Sequence, residues 1–340
     1  MSEPRIRVLV VDDSAFARKV IRESLSTSPA IEVVGTARDG LDALEKIALL
    51  SPDVVTLDLV MPNLDGLGLL AALGASRPRI IVVSSAADES DLVIGALQMG
   101  AVAFVQKPTT QATDRMYEIG SPLTEEVLRA MRTIPRTVTS KPVPSVRVEP
   151  ARTKIVVVGA STGGPQALTH LFSALPSGFA VPLAMVLHIP VGYTEGFAKR
   201  LDDASPLTIV EASEGLTLLP GMAVVARAGL HLTLRRGPGD VPVSRLEIAP
   251  LDTSHRPSVD VLFRSAAAAY GGEVLGVVLT GMGDDGLLGS RAIREAGGMV
   301  LTQSEETCVV YGMPRVVADA GLSTRSVPIE EMAAAVVELA

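Results

Sequence analysis

The chain has 340 residues, enough for about two domains at roughly 150 residues each. Hydrophobic residues make up 47% of the chain and charged residues 20%, which excludes a globally disordered polymer. Aromatic residues are only 3%, so the cores must be aliphatic. The net charge is −8 and no Lys/Arg run occurs, which argues against nucleic acid as a partner because phosphate contacts need clustered positive charge. The single cysteine, Cys308, excludes an internal disulfide and fits a reducing compartment.

The apolar runs of the sequence are too short for a signal peptide or a transmembrane helix. The run near the start ends at two aspartates, and no later run approaches the roughly 18 apolar residues of a membrane span. We therefore expect a cytoplasmic protein with no membrane insertion.

The first 108 residues alternate between short β-branched runs and helical patterns. The runs predict five strands, at 7–11, 32–37, 53–58, 79–85 and 103–108. Apolar residues three and four apart predict helices between them, and a further helix is expected at 122–133. Strands that alternate with helices form a doubly wound parallel sheet, so we expect a flavodoxin-like α/β domain.

The second half repeats this class of pattern after a break. Residues 134–152 carry four prolines and no helical period, which predicts a semi-extended linker; an edge strand followed by a loop is the alternative. From Lys154 strands and helices alternate again, with an antiparallel hairpin of strands near 230–235 and 243–248. We expect a Rossmann-like, three-layer α/β/α domain. The predicted division is 1–124 for the first domain, 125–152 for a helix end and linker, and 153–340 for the second domain.

Polar residues follow the strands of the first predicted sheet, at the ends where ligands bind in parallel sheets. They are Asp12 and Asp13, Asp58, Ser84 and Lys107. Three carboxylates repel one another, so a divalent cation is expected, and Mg²⁺ suits carboxylates, water and phosphate oxygens. A carboxylate beside Mg²⁺ can attack a phosphoryl group, whose oxygens Lys107, the Ser84 hydroxyl and the metal would hold. A single aspartate could instead be a helix cap, but the whole set favours phosphoryl chemistry.

These residues lie in the motifs VVDDS, LDLVMPNLDG, VSS and FVQKP, which resemble those of the response-regulator receiver domain. The resemblance implies that Asp58 is the phosphoacceptor and that Asp12, Asp13 and Asp58 bind Mg²⁺. It also implies that Ser84 and Phe104 are the switch residues.

A glycine-rich turn follows the first strand of the second half. Gly159-Ala160-Ser161-Thr162-Gly163-Gly164 contains G-x-S-x-G, which is typical of a turn that projects a nucleophilic serine. A dinucleotide-binding turn needs glycine where Ser161 stands. On this motif alone, a phosphate loop and a purely structural turn remain alternatives.

Two further strand ends supply partners for Ser161. His188 follows the next strand, and Asp285 lies in the loop after EVLGVVLT. Imidazole is the usual base for a serine and a carboxylate can orient it, so the three residues predict a catalytic triad. The chain order Ser–His–Asp differs from the Ser–Asp–His order of α/β-hydrolases, which argues against that fold. Three other histidines compete for the role of base: His170, His231 and His255.

The second half contains, in order, the motifs GASTGG, HIP, HRPSVDVLF, LTGMGDDG and CVVYGMPR. With these motifs behind a receiver-like domain and a linker, the whole chain is similar to the chemotaxis protein-glutamate methylesterase/glutaminase family, CheB. The resemblance implies that Ser161 is the nucleophile, His188 the base and Asp285 the orienting acid. It also implies an oxyanion donor in the Met282 backbone N–H and site-lining roles for Thr162 and His255.

The resemblance further implies a phosphorylation-activated hydrolase in chemotactic adaptation. Methylated chemoreceptors would be the substrate, with methanol released, and receptor glutamines would be deamidated. A chemotaxis histidine kinase would be the phosphodonor, Mg²⁺ the cofactor of the receiver, and no cofactor is expected in the catalytic domain. An unphosphorylated receiver that covers the catalytic site is a hypothesis for the coupling. The alternative is a non-catalytic signalling module, while a DNA-binding output fails on charge.

Three positions depart from the family pattern. Leu187 and Ile189 flank His188 where Gln and Met are usual, and Asp284 stands where Asn is common. We expect these changes to affect substrate preference more than mechanism.

Overall fold

The structure is a computed structural model that describes residues 4–73, 78–84, 90–107, 119–131 and 153–340. Packing divides the chain into two compact units, 1–134 and 135–340. The predicted linker lies outside the described residues, as do the predicted strand ends at 85 and 108 and the helix end at 132–133. The predicted domain boundaries therefore stay predictions.

The first unit alternates strands and helices along the chain. Its strands are β1 (Ile6–Val11), β2 (Ile31–Ala37), β3 (Val54–Leu57), β4 (Arg79–Ser84) and β5 (Ala103–Gln106). Its helices are α1 (Ala15–Leu25), α2 (Gly40–Leu50), α3 (Gly66–Leu73), α4 (Ser90–Gln98) and α5 (Gly120–Met131). The strands pair in parallel in the order β2-β1-β3-β4-β5, which confirms the doubly wound sheet.

The central strands of this sheet are buried, which is why they read as continuous aliphatic runs. Val8, Leu9 and Val10 of β1 are fully buried. Ser14 caps α1 by accepting a hydrogen bond from the Ala17 N–H, so Asp12 and Asp13 are not needed as the cap. These carboxylates can therefore serve another role at the end of β1.

The second unit is larger and has a seven-stranded parallel sheet. Its sheet strands are β6 (Ile155–Ala160), β7 (Leu183–Leu187), β8 (Thr208–Glu211), β9 (Met222–Val225), β12 (Val274–Val278), β13 (Met299–Gln303) and β14 (Arg325–Val327). Their order is β14-β13-β12-β6-β7-β9-β8. A separate antiparallel hairpin consists of β10 (His231–Arg236) and β11 (Pro242–Glu247), which confirms the predicted hairpin.

Helices alternate with the strands of this unit. They are α6 (Gly164–Ala174), α7 (Thr194–Ala204), α8 (Val259–Tyr270), α9 (Leu287–Glu295), α10 (Met313–Asp319) and α11 (Ile329–Leu339). Helix α8 buries Phe263 and Tyr270 and packs against β6 and the hairpin strand β10. Because β6, β7 and β12 are parallel, their carboxyl ends meet at one edge of the sheet. None of the described helices is long and apolar enough to cross a bilayer.

Candidate active site and phosphoacceptor site

Acidic and basic side chains meet at the carboxyl ends of β1, β3 and β5. The Lys107 Nζ lies 2.6 Å from Asp58 Oδ2 and 2.8 Å from Asp12 Oδ2. Carboxylate oxygens of Asp12, Asp13 and Asp58 all lie within 4.8 Å of one another, with Asp12 and Asp58 buried and Asp13 exposed. Three carboxylates and one ammonium thus form a cluster that opens to solvent through Asp13.

Charge in this cluster is only partly compensated. Burial raises the pKa of Asp12 above its usual value, and the Asp58 carboxylate adds to that effect, although the Lys107 ammonium opposes it. Burial alone would lower the pKa of Lys107, but Asp12 and Asp58 outweigh it and raise that pKa. Lys107 is therefore held as an ammonium, and a divalent cation would relieve the remaining negative charge.

The switch candidates lie on the two neighbouring strands. Ser84 is fully buried at the end of β4, and its carbonyl accepts a hydrogen bond of 2.7 Å from the Lys107 N–H. Phe104 is half-buried in β5, where it pairs with Val82 of β4. Gly66 packs directly against the backbone of Asp58, and a Cβ at position 66 would lie only 2.6 Å from the Asp58 carbonyl oxygen. The final glycine of LDLVMPNLDG is therefore a packing requirement.

In the second unit, strand register makes Ser161 and His188 neighbours. The last pair of β6 and β7 is Ala160 with Leu187, and the His188 N–H donates to the Ala160 carbonyl at 3.1 Å. Ser161 and His188 are thus the first residues after the ends of β6 and β7. Neighbouring strands of a sheet lie about 4.8 Å apart, so the two residues are adjacent. On the other side, the Ser161 N–H donates to the Thr280 carbonyl at 3.0 Å, just beyond β12.

The imidazole of His188 is bonded to Asp285. Its Nε2 lies 2.9 Å from Asp285 Oδ2, and the two side chains are 7% and 11% exposed. Burial alone would raise the pKa of Asp285, but the hydrogen bond and charge of His188, with two backbone N–H groups, lower it below its usual value. Asp285 is therefore an ionised carboxylate at neutral pH.

Because Nε2 is bonded to Asp285, the other ring nitrogen remains for a proton transfer. His188 Nδ1 is buried, and it has no hydrogen-bond partner in the described part of the chain. The Ser161 hydroxyl is adjacent to His188 by register but is not hydrogen-bonded to it. Catalytic hydrogen bonds in ligand-free enzymes are often long and tighten when substrate binds.

Asp285 is held by the start of α8 as well as by His188. Its Oδ1 accepts from the Ser258 hydroxyl at 2.9 Å and from the Asp260 N–H at 2.8 Å. Its Oδ2 accepts from the Val259 N–H at 2.8 Å. The carboxylate thus binds unpaired N–H groups of the first helical turn, where negative charge is favourable.

The Asp260 carboxylate binds the start of α9 in the same way as Asp285 binds the start of α8. Asp260, in the first turn of α8, accepts from the N–H groups of Gly286 and Gly289 at 2.9 and 2.6 Å, at the start of α9. Asp285 therefore caps α8 while Asp260 caps α9. We call this pair of contacts the reciprocal cap.

The loop after Ser161 is fixed by buried polar contacts. The Thr280 hydroxyl donates to the Thr162 carbonyl at 3.0 Å, and Thr280 is only 1% exposed. Gly163 has φ +77°, and a Cβ there would lie 2.5 Å from Val309 Cβ, so glycine is required. Among the described residues, the Met282 N–H makes no hydrogen bond, so it is available to an oxyanion.

The remaining histidines occupy different environments. His255 is exposed, and its ring stacks on His188 with centroids 4.0 Å apart and an interplanar angle of 6°. His170 is exposed on α6. His231 is fully buried and accepts a hydrogen bond of 3.2 Å from the Ser258 N–H. The hydrogen bond between His188 and Asp285 therefore makes His188 the candidate base.

Sequence reasoning did not find Ser258, Asp260 or the placement of His231. Ser258 directly precedes the periodic helix 259–270, and that is an N-cap signal readable from sequence. Nothing in local spacing joins it to Asp285.

Comparisons with known proteins show the family to which the chain belongs. The family model for CheB methylesterase matches residues 156–336, and the model for the response regulator receiver domain matches residues 8–116. The chain belongs to the CheB methylesterase family. This membership confirms the resemblance drawn from the sequence motifs.

Relatives within the CheB family align along nearly the whole chain. The Myxococcus xanthus protein-glutamate methylesterase/protein-glutamine glutaminase 5 is 60% identical over 337 residues, which cover 97% of this chain and 96% of the relative. The Thermotoga maritima protein-glutamate methylesterase/protein-glutamine glutaminase is 40% identical over 344 residues and covers both chains fully. The crystal structure of the Thermotoga maritima CheB methylesterase catalytic domain aligns at a TM-score of 0.54 and 36% identity. That alignment covers 56% of this chain and all of that domain.

Proposed function

We propose that this chain is a phosphorylation-activated hydrolase that removes methyl esters from glutamyl residues of chemoreceptors and deamidates receptor glutamines during chemotactic adaptation. The observation that carries the proposal is the adjacency of Ser161 and His188, combined with the 2.9 Å bond between His188 and Asp285. The names of the full-length relatives support the substrate class.

Acylation starts with attack of the Ser161 Oγ on the carbonyl carbon of the γ-methyl ester. His188 Nδ1 accepts the hydroxyl proton, and Asp285 stabilises the imidazolium through Nε2–H. The tetrahedral intermediate collapses when the C–O bond to the methoxy group breaks. The leaving oxygen takes the proton from Nδ1, so methanol departs and an acyl-serine remains.

Deacylation uses the same nitrogen in the reverse direction. Water attacks the acyl carbon while His188 Nδ1 takes one of its protons, and that proton returns to Ser161 as the acyl–oxygen bond breaks. A glutamine side chain enters the same path with ammonia as the leaving group, so both activities give glutamate.

Charge that develops on the carbonyl oxygen needs preorganised donors. We assign this role to the Met282 N–H, with the Thr162 segment lining the site. Loss of one such donor typically costs about 10²–10³ in rate. The His255 ring covers one face of the His188 imidazole and completes the lining.

In the first unit, Asp58 would accept the phosphoryl group from a chemotaxis histidine kinase. Asp12, Asp13 and Asp58 fit Mg²⁺, because their oxygens converge within 4.8 Å and two of the carboxylates are buried. A bound Mg²⁺ would neutralise charge on the transferring phosphoryl group. Lys107 would leave its ion pair with Asp58 and bind the new phosphate oxygens. The Ser84 hydroxyl would be a further donor to these oxygens, and Phe104 on β5 would be the second switch residue. Coverage of the catalytic site by the unphosphorylated receiver stays a prediction.

The test is methanol release from methylated receptor by the full-length protein. Wild type should release methanol, and Ser161→Ala should abolish release while the protein stays folded. Addition of Mg²⁺ and a small phosphodonor should accelerate wild type but leave Asp58→Asn at its basal rate. Equal methanol release by wild type and Ser161→Ala would refute the serine mechanism. No release by either would favour a non-catalytic signalling module.

A further inference from the structure

The buried imidazole of His231 makes contacts that fix both its charge and its tautomer. Its Nε2 lies 3.0 Å from the Pro250 carbonyl oxygen, which can only accept a hydrogen bond, so Nε2 carries a proton. Its Nδ1 accepts from the Ser258 N–H at 3.2 Å, so Nδ1 carries none. The Thr253 hydroxyl, 3.3 Å from Nε2, completes the set. His231 is therefore a neutral imidazole protonated on Nε2.

The surroundings keep this imidazole neutral. Burial lowers the pKa of His231, and the positive charge of Arg256 acts in the same direction. The Pro250 carbonyl and the carboxylates of Asp285 and Glu247 oppose this effect without overcoming it. At neutral pH the Nδ1 lone pair is thus available to Ser258.

Ser258 connects His231 to the proposed catalytic acid. Its hydroxyl donates to Asp285 Oδ1 at 2.9 Å, and the next two N–H groups of the chain donate to the same carboxylate. The N–H that His231 accepts therefore belongs to the first of three consecutive residues that bind Asp285. A shift of Ser258 would move all three donors and, through Asp285, the imidazole of His188.

We infer that His231 is a positioning residue for hydrolysis, acting as a neutral hydrogen-bond acceptor that fixes Ser258 and so aligns Asp285 with His188. The inference rests on the proposed function for its kinetic consequence only. The alignment itself can be measured without a substrate.

The two ring nitrogens can be tested separately by substitution. Asparagine places its amide near the Nδ1 position, so His231→Asn can still accept from the Ser258 N–H. Glutamine reaches the Nε2 position, so His231→Gln keeps a donor to Pro250 but loses the acceptor. His170→Gln, on the exposed face of α6, is the matched control.

The experiment is nuclear magnetic resonance of full-length protein with ¹⁵N-labelled histidine. In wild type, the nitrogen shifts should give the Nε2–H tautomer for His231 between about pH 6 and pH 8. The ¹⁵N shift of His188 Nε2, which reports the hydrogen bond to Asp285, should move away from its wild-type value in His231→Gln, because a less firmly held carboxylate makes a weaker hydrogen bond. His231→Asn and His170→Gln should leave the His188 Nε2 shift near that of wild type.

Methanol release provides the second readout on the same proteins. His231→Gln should lower kcat about 10-fold with KM unchanged, and His231→Asn should recover most of that loss.

A His231 found charged or protonated on Nδ1 in wild type overturns the inference, and this measurement needs no variant to fold. A His188 Nε2 shift that is identical in folded His231→Gln and wild type also overturns it. If the His231 tautomer and the change in the His188 Nε2 shift are as expected but wild type releases no methanol, the proposed function alone is refuted.

Discussion

Replacement of Asp285 by asparagine tests the link between the carboxylate and the imidazole. All four groups bonded to Asp285 present hydrogens to it: the His188 ring, the Ser258 hydroxyl and two backbone N–H groups. An amide has one acceptor oxygen, so either orientation of the new side chain sets its NH₂ group against at least one backbone N–H. We therefore expect Asp285→Asn to lose both the charge that stabilises the imidazolium and part of the hydrogen bonding at α8.

The size of the catalytic loss follows from the charge separation. Two unit charges about 4 Å apart attract by about 4 kcal/mol at an effective dielectric constant of about 20. Each 1.36 kcal/mol corresponds to about tenfold in rate, so kcat should fall about 10³-fold. KM should change little, because this charge acts on the transition state.

Asp284→Asn is the matched control, because it removes the same charge from an exposed side chain one residue away. The kcat of this variant should stay within about twofold of wild type, because the substitution lies on the surface and leaves the catalytic residues in place. A fall in Asp285→Asn of less than about tenfold, or an equal fall in both variants, would refute the reasoning.

Stability gives an independent check on Asp285. Its pKa is lowered in the folded state, so the carboxylate stabilises the protein at pH above its usual value of 3.8, and this stabilisation is lost as the pH falls through the lower folded value. At pH 7 the free energy of unfolding should therefore be lower for Asp285→Asn than for wild type, by about 1–3 kcal/mol. That difference should narrow as the pH falls below 3.8.

Three further outcomes can be measured on the full chain. Asp12→Asn should raise the Tm of the Mg²⁺-sensitive unfolding transition by about 4 °C at pH 7 without Mg²⁺, the shift expected for about 1 kcal/mol in a unit the size of residues 1–134. Because the pKa of Asp12 is raised in the folded state, this gain should shrink as the pH falls and Asp12 becomes protonated; calorimetry that shows no gain at pH 7 contradicts it. Gly163→Ala should destabilise the protein by about 1–3 kcal/mol and reduce methanol release, since its Cβ would lie 2.5 Å from that of Val309. Gly178→Ala, with nothing within 4 Å, should have no such effect, and equal losses of stability in denaturant would exclude the packing argument. Thr280→Val should lower kcat, because it removes the hydroxyl that donates to the Thr162 carbonyl. Thr280→Ser keeps this hydroxyl and should have a kcat near that of wild type. Equal losses of kcat in the two variants would count against a role for this hydrogen bond.

The parallel sheets were predictable from sequence because both their faces are covered. Buried strands such as β1 and β6 are continuous runs of β-branched residues, and helical periods separate them. The strands β8 and β14 lie at the two edges of the second sheet and are only partly buried, so their sequences TIVE and RSV lack a continuous apolar run and were not predicted.

The candidate site was predictable to the level of strand ends. In a parallel sheet the residues that follow each strand share one edge, and this placed Ser161 beside His188, and Asp58 beside Asp12, before any coordinates. The roles of individual atoms were not predictable. The use of Nε2 by Asp285 and of Nδ1 by Ser258, on two different histidines, depends on side-chain packing between segments far apart in the chain.

The reciprocal cap has a practical consequence for the choice of an inactive variant. Asp285 serves the imidazole and the start of α8 together, while Asp260 holds the start of α9. An inactive variant with a substitution at Asp285 would therefore lose hydrogen bonds at the start of α8 as well as the catalytic carboxylate. Ser161 is half-exposed, and removal of its hydroxyl oxygen disturbs no helix end. A variant designed to trap a bound receptor for structure determination should accordingly replace Ser161 and keep Asp285.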